Sequence, residues 1–326
     1  MGRAPQRVFD AFLFAEPHES EILLAKLHVE AELIDAWVVV ENAYTPKGEW
    51  KGTHLRSVLD GDARFDAFRD RLHVVTLEHD ARSEFRRPAK DRLSFAVGAM
   101  MRGRTAAAYR ARYEEAPNWF AERFQRDAAL PVIRELGGGD GWVLATDCDE
   151  MLDATNPSRR DALLRAIGSG APSVSLRRQR FNYDFDNFCP AARFVQAASV
   201  RYLHERGLGV DDVRKRMGGV AAGPETCVYE YSSCLPRAAI ERKLATFPHL
   251  DPGRSVLESA LECNHAMHAV PTSWVDPSVW YERVPIEQTG APTYVLENFE
   301  RLRTGVVADD YAAARRRRYP MLFGER

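Results

Sequence analysis

The run Asp147-Cys148-Asp149-Glu150 puts three side-chain carboxylates within four residues. Carboxylates this close repel one another. A divalent cation relieves that repulsion, and hard oxygen ligands suit Mg2+ or Mn2+. The run follows Trp142–Thr146 (WVLAT), an apolar stretch of the kind that forms a buried strand. Along a straight strand Asp147 and Asp149 share one face, so both can approach one ion. Asp149 is the expected direct metal ligand, with Asp147 beside it through water or a ribose. The ion would act as a Lewis acid on a diphosphate leaving group. Two other pairs share the D-x-D spacing. Asp60/Asp62 brackets a glycine in a polar loop and reads as a turn. Asp184/Asp186 lies in FNYDFDNF, where it could line a cleft. Only Asp147/Asp149 follows a buried-strand pattern.

The elements that must position this run alternate between strand and helix. Arg7–Phe14 (RVFDAFLF) reads as a strand, and Glu19–Leu33 as a helix with Ile22, Leu23, Leu27 and Leu33 inward and its charges toward solvent. Ala36–Val40 (AWVVV) is a β-branched run suited to a parallel strand buried on both faces. Together they make a βαβ unit. Tyr44–Gly52 is a loop by its Pro and Gly content, and Leu72–Leu77 is a third strand. Asp91–Arg112 reads as helical. Asn118 is placed to cap a helix through Trp119, Phe120 and Phe124. Pro131 kinks that helix or opens a second short one, and Gly137–Gly139 ends it. Further on, helices are expected at Pro157–Ile167, Pro236–Phe247 and Ser255–His268, with strands at Ser173–Leu176, Phe194–Val200 and Val228–Ser232. The alternation predicts an α/β chain with a mostly parallel sheet and helices on both faces. In such sheets ligands bind outside the carboxyl ends of the strands, which is where the acidic run falls.

Composition narrows the function classes. The chain has 326 residues, 45% hydrophobic and 28% charged, which is globular usage with enough length for a sizeable core. Lys+Arg numbers 45 against Asp+Glu 47, for a net charge of −2. A chain that coats nucleic acid would be strongly basic, so no nucleic-acid partner is expected. No apolar run reaches the roughly 18 residues of a membrane span, and the apolar stretch before Glu16 is too short for a signal peptide. The five cysteines form no CxxC pair, which argues against a disulfide framework or structural zinc and fits a reducing cytoplasm. There is no internal repeat or linker. Arg315–Arg318 reads as a solvated helix end or a small anionic docking patch.

Several segments, in order, resemble one enzyme family. Phe9-Asp10-Ala11-Phe12-Leu13-Phe14-Ala15-Glu16 resembles FDxFLFxxE with its glutamate one position earlier, Val40-Glu41 ends a strand in VE, and Thr45 to Lys51 matches a T-x-x-G-x-x-K loop with Pro46 in place of the usual Phe. Trp119, Glu122, Gln125 and Arg126 match W-x-x-E-x-x-Q-R. Asp147, Asp149 and Glu150 match D-x-D-E, followed by Met151-Leu152 in place of Ile-Pro. Lys243, Thr246, Phe247 and His249 match a lysine helix ending in S/T-F-x-H. From about residue 8 to 250 the chain resembles glycosyltransferase family 17, the family of the bisecting N-acetylglucosaminyltransferase, in a soluble bacterial-type form without the animal members' membrane anchor. Glu230 stands where the family's G-W-H-x-S motif has histidine. The resemblance implies a single GT-A type Rossmann-like nucleotide-sugar domain over 1–326, with about 270–326 as a C-terminal extension packed on it. It also implies Mn2+ or Mg2+, His249 as a third metal ligand, and inverting transfer of an N-acetylglucosamine-like sugar from a nucleotide-diphospho-sugar, UDP-linked in the family.

Roles follow from the chemistry of such a transfer, which needs counter-charge for the diphosphate and a base for the acceptor hydroxyl. Lys47, Lys51 and Arg126 are cations that can meet phosphates, although Arg126 also has Glu122 at i,i+4 spacing for an ion pair. Glu41, at the ligand edge of the second strand, can touch the base or ribose. Asp10, mid-strand, reads as a buried hydrogen-bonded carboxylate. Glu230 and Asp186 are the candidate general bases, and a Glu230 buried between Tyr229 and Tyr231 would have a raised pKa. Glu150 orients a ligand, faces the acceptor, or sits at a helix N-terminus. Trp119, Tyr183 and Tyr231 stack on sugar or nucleobase, or pack in the core. The acceptor is a glycan, a lipid-linked sugar or a small molecule. The competing readings are a sugar nucleotidyltransferase, a phosphatase of the haloacid-dehalogenase type, and a nucleotide-sugar or carbohydrate-binding module without catalysis.

Overall fold

The computed structural model of the chain describes residues 6–89, 104–248, 254–265 and 280–319. Among these residues nine strands form one sheet in the order β3-β2-β1-β4-β7-β6-β8-β5, with β9 on β7. The first half is parallel: β1 (Val8–Leu13), β2 (Ala36–Asn42), β3 (Leu72–Leu77) and β4 (Trp142–Ala145) all run the same way. The second half is mixed. β5 (Glu150–Leu152) is antiparallel to β8 (Val220–Ser232), β6 (Ser173–Asn182) is antiparallel to β7 (Asn187–Ser199) and parallel to β8, and β9 (Glu282–Arg283) closes on β7. β4 meets β7 antiparallel and joins the two halves. The chain is thus mixed α/β, with the expected parallel character carried by the first four strands.

Period-two alternation decides what each sheet face buries. Val8, Phe12, Trp37, Val39, Trp142 and Leu144 pack with Leu23, Leu24 and Leu27 of α1 (Ser20–Glu30). Their strand neighbours Phe9, Ala11, Val38, Val40, Val143 and Ala145 pack on the opposite face, with Leu130 and Ile133 of a later helix (Ala129–Glu135). Helices therefore cover both faces. Strands buried on both sides carry near-continuous apolar runs.

Several local expectations are corrected. α1 is enclosed rather than solvent-facing: Lys26 and Glu30 are 0% exposed. Lys26 Nζ lies 2.6 Å from Asp10 Oδ2 and 2.9 Å from Glu30 Oε1, and it donates to Thr146 Oγ1 and the Glu150 carbonyl. Buried charge is tolerated only when paired in this way. Asp10 is the buried carboxylate its mid-strand place suggested. Asn118 does not cap a helix. It lies inside a helix spanning Arg104–Asp127, and its Nδ2 donates to the Pro248 carbonyl. Pro131 sits within a second short helix, Ala129–Glu135. Residues 91–103 of the expected Asp91–Arg112 helix lie outside the described residues. Arg315 is buried, donating to the carbonyls of Cys263, Asn264 and Tyr281, so it ties the C-terminal segment to the body rather than facing solvent.

Candidate functional site

The strand order places a switch point between β1 and β4: from β1 the chain builds outward through β2 and β3 on one side and through β4 on the other. A crevice opens outside the carboxyl ends of the strands at such a point. Asp147, Cys148 and Asp149 follow β4 there, and Glu150 opens β5, not a helix.

Each carboxylate of the run meets cations. Asp147 Oδ1 accepts from Arg126 Nη2 at 2.5 Å, and its Oδ2 accepts from Arg214 Nη2. Asp149 Oδ2 accepts from Lys243 Nζ at 2.9 Å. Glu150 Oε2 accepts from Arg214 Nη1 at 2.6 Å and from the Asp147 backbone N–H at 2.9 Å, and its Oε1 accepts from Arg178. Sheet register puts Glu150 directly opposite Glu230. Like charges so placed are destabilising, and Arg178 lies between them, its Nε 3.1 Å from Glu230 Oε2. Arg180, next to Glu230 on the other side, has its Nε 3.5 Å from Glu230 Oε1.

The electrostatics follow. Burial pushes the Asp147 carboxyl up, but the Arg214 and Arg126 guanidiniums outweigh it and hold Asp147 well below the usual carboxylate range. Burial also opposes ionisation of Glu150, yet Arg214, helped by Arg178 and against the Asp147 charge, holds its pKa below the ordinary value. Such a group is a poor proton acceptor. Glu230 differs. Burial dominates over Arg180 and Arg178 and raises it to about 6, which suits proton abstraction near neutral pH.

The other sequence candidates are spread more widely. Arg126 is buried in the cluster, its Nε donating to Glu122 Oε1 at 3.0 Å, so it carries the ion pair and the Asp147 contact together. Lys47 Nζ donates to the Leu244 carbonyl, next to Lys243. Lys51 Nζ lies 3.6 Å from Glu41. Glu41, expected at the base or ribose, is 1% exposed and accepts from the backbone N–H groups of His54 and Leu55 at 2.7 and 2.9 Å. It satisfies the free amides at the start of the Leu55–Gly61 helix. Asp186 pairs with Arg283 of the C-terminal segment at 3.6 Å. Its neighbour Asp184 is a buried acceptor for the Thr304 and Gly305 amides. Asp62 caps a turn through the Arg64 amide. Tyr183 and Tyr231 are buried in the core, whereas Trp119 is partly buried beneath Lys215 Nζ, 4.6 Å from its ring. His249 lies outside the described residues.

Three cations of the site were missed from sequence: Arg178 and Arg180 on β6, and Arg214 on the short helix Val210–Arg216. A signal existed in the strand. Arg178 and Arg180 are two apart, so they share a face of a largely buried segment. Arg214, within VRKR, looks like a solvated basic run until the fold is known.

The donor set does not match a dication site. Among the described residues no group of three or more His, Cys, Asp or Glu is arranged to hold an ion. Both Asp147 oxygens and one Asp149 oxygen already face cations.

No family model and no curated protein matches the chain. A solved mycobacterial protein structure is similar at 14% identity over 72% of this chain and 70% of its own, with a TM-score of 0.30. A likeness that distant carries no argument about function. Among the described residues no helix is long and apolar enough to cross a membrane.

Proposed function

We propose that this chain is a glycosyltransferase of the GT-A type that moves a sugar from a nucleotide-diphospho-sugar to a hydroxyl acceptor. The observation that carries the reading is the acidic D-x-D-E run at the β1/β4 switch point, set among Arg126, Arg214, Arg178 and Lys243. The ordered motifs resembling glycosyltransferase family 17 support it. A set of fixed cations suits an anionic diphosphate leaving group, because preorganised charge need not reorient as the bond breaks.

In this reading Glu230 takes the proton of the acceptor hydroxyl as that oxygen bonds to the anomeric carbon and the bond from the carbon to the diphosphate breaks, the nucleoside diphosphate leaving. Burial raises both carboxyls, and the place of Glu230 opposite Glu150 of the acidic run, sharing Arg178 with it, favours it over Asp186. Glu150, buried and held by two arginines, positions them.

The test is a panel of UDP, GDP, CMP and dTDP sugars, read by melting temperature and by release of free nucleotide. A native-state ligand raises the midpoint. Binding with nucleotide release dependent on Glu230 is the expected result. A panel without any stabilising nucleotide sugar refutes the proposal, and binding without turnover reduces the protein to a binding module.

A further inference from the structure

We infer that Lys243, Arg214 and Lys47 supply the counter-charge for the nucleotide diphosphate, and that Asp147 and Asp149 hold Arg214 and Lys243 in place instead of ligating a divalent ion. This rests on the nucleotide-sugar reading above and concerns how that site handles charge.

Three observations lead to it. The first is occupancy of the acids. An ion bound between Asp147 and Asp149 would meet an Asp147 whose two oxygens accept from Arg126 and Arg214, and an Asp149 whose Oδ2 accepts from Lys243. Bringing a dication in beside two guanidiniums and an ammonium sets like charges against one another.

The second is local balance. The ion-paired carboxylates Glu122, Asp147, Asp149, Glu150, Asp211 and Glu230 and the cations Arg126, Arg178, Arg180, Arg214, Lys215 and Lys243 number six each, so the acids are already fully matched by protein cations. Lys47, with its ammonium on the Leu244 carbonyl of the helix that carries Lys243, adds a further positive charge.

The third is access. Arg126 and Arg178 are nearly sealed, at 4% and 7% side-chain exposure, whereas Arg214 and Lys243 reach solvent at 19% and 21%. The sealed cations set the field, and the exposed ones are free to exchange a carboxylate partner for a phosphate oxygen. Ammonium and guanidinium donors form strong charge-assisted hydrogen bonds to phosphate. Asp149 has 10% side-chain exposure and meets Lys243 from inside, as a holder rather than a rim ligand.

The inference makes a prediction of sign. Asp149→Asn removes a negative charge and frees Lys243, so nucleoside diphosphates bind more tightly. A metal-ligand role predicts the reverse. Lys243→Met and Lys47→Met each weaken binding, by about tenfold for Lys243. Lys47 lies in the Thr45–Lys51 loop, so its variant tests the idea if Lys243→Met destabilises the fold.

The experiment is calorimetric titration of the full chain with UDP, GDP, CDP, ADP and dTDP, in excess EDTA and again in Mn2+. Melting curves of each variant control for folding. The expected result is a dissociation constant for the preferred diphosphate that changes less than about threefold between the two conditions, with Asp149→Asn tighter and both lysine variants weaker. Binding that requires Mn2+, or that Asp149→Asn abolishes, overturns the inference and leaves the transferase reading standing. Failure of every diphosphate under both conditions overturns both.

Discussion

Replacing Glu230 by Gln separates a catalytic base from a structural counter-ion, because the two roles predict opposite changes in stability. Glu230 is raised from an ordinary 4.5 to about 6 by burial, against the pull of Arg180 and Arg178. At about 1.4 kcal/mol per tenfold in proton affinity, ionised Glu230 costs the fold about 2 kcal/mol. The folded state holds the proton more tightly than the unfolded chain. The contribution of Glu230 to stability is therefore complete below about pH 4.5 and is lost as pH rises through about 6. Glutamine is neutral at every pH and escapes that loss. Glu230→Gln should then be about 2 kcal/mol more stable than the parent at pH 8, near 3 °C in midpoint for a chain of this length. The gain should shrink to a small fraction of that near pH 4.5. Nucleotide release should fall by about 100-fold or more. Urea denaturation at the two pH values reads the first effect, and a coupled nucleotide assay the second. A variant less stable than the parent at pH 8, or an offset equal at both pH values, would refute the reasoning. Glu230 would then be needed chiefly to balance Arg178 and Arg180.

Three further outcomes can be measured on the same footing. Lys26→Met leaves Asp10 and Glu30 buried without their cation, so stability by urea denaturation should drop by about 3–5 kcal/mol; adding Asp10→Asn should restore part of it, and an unchanged midpoint in the single variant would count against the buried triad. Arg126→Met should cost about 3 kcal/mol, because Asp147 and Glu122 lose a sealed partner; a loss under about 1 kcal/mol would show that Arg214 and Lys215 suffice. Glu41→Gln keeps one acceptor oxygen of two on the His54 and Leu55 amides and should cost about 1 kcal/mol without altering nucleotide affinity, whereas a tenfold loss of affinity at constant stability would return Glu41 to the ligand.

The parallel half of the sheet was legible from local pattern. Ala36–Val40 and Leu72–Leu77 are apolar, β-branched runs, and they form β2 and β3 with boundaries within two residues of those expected. The longer strands β6, β7 and β8 were read only in part, because arginines, a proline and small residues interrupt their apolar pattern. The candidate site divides in the same way. Asp147, Asp149 and Glu150 were readable as a cluster after a strand, and Arg126 as a helix cation paired with Glu122.

By itself the sequence determined the βαβ opening, the two-sided burial of the central strands and the acidic run at their carboxyl edge. These depend on side-chain periodicity and on neighbours a few residues apart, which one segment of chain already contains. Only the tertiary structure decided which charges meet. Arg214 reaches Asp147 across 67 positions and Lys243 reaches Asp149 across 94. Lys26, a solvent residue by helical pattern, is sealed against Asp10, and Glu41 caps a helix. An ionic side chain settles its partner only when burial strips its water and leaves one counter-charge within reach, and that choice is made by the packing of distant segments.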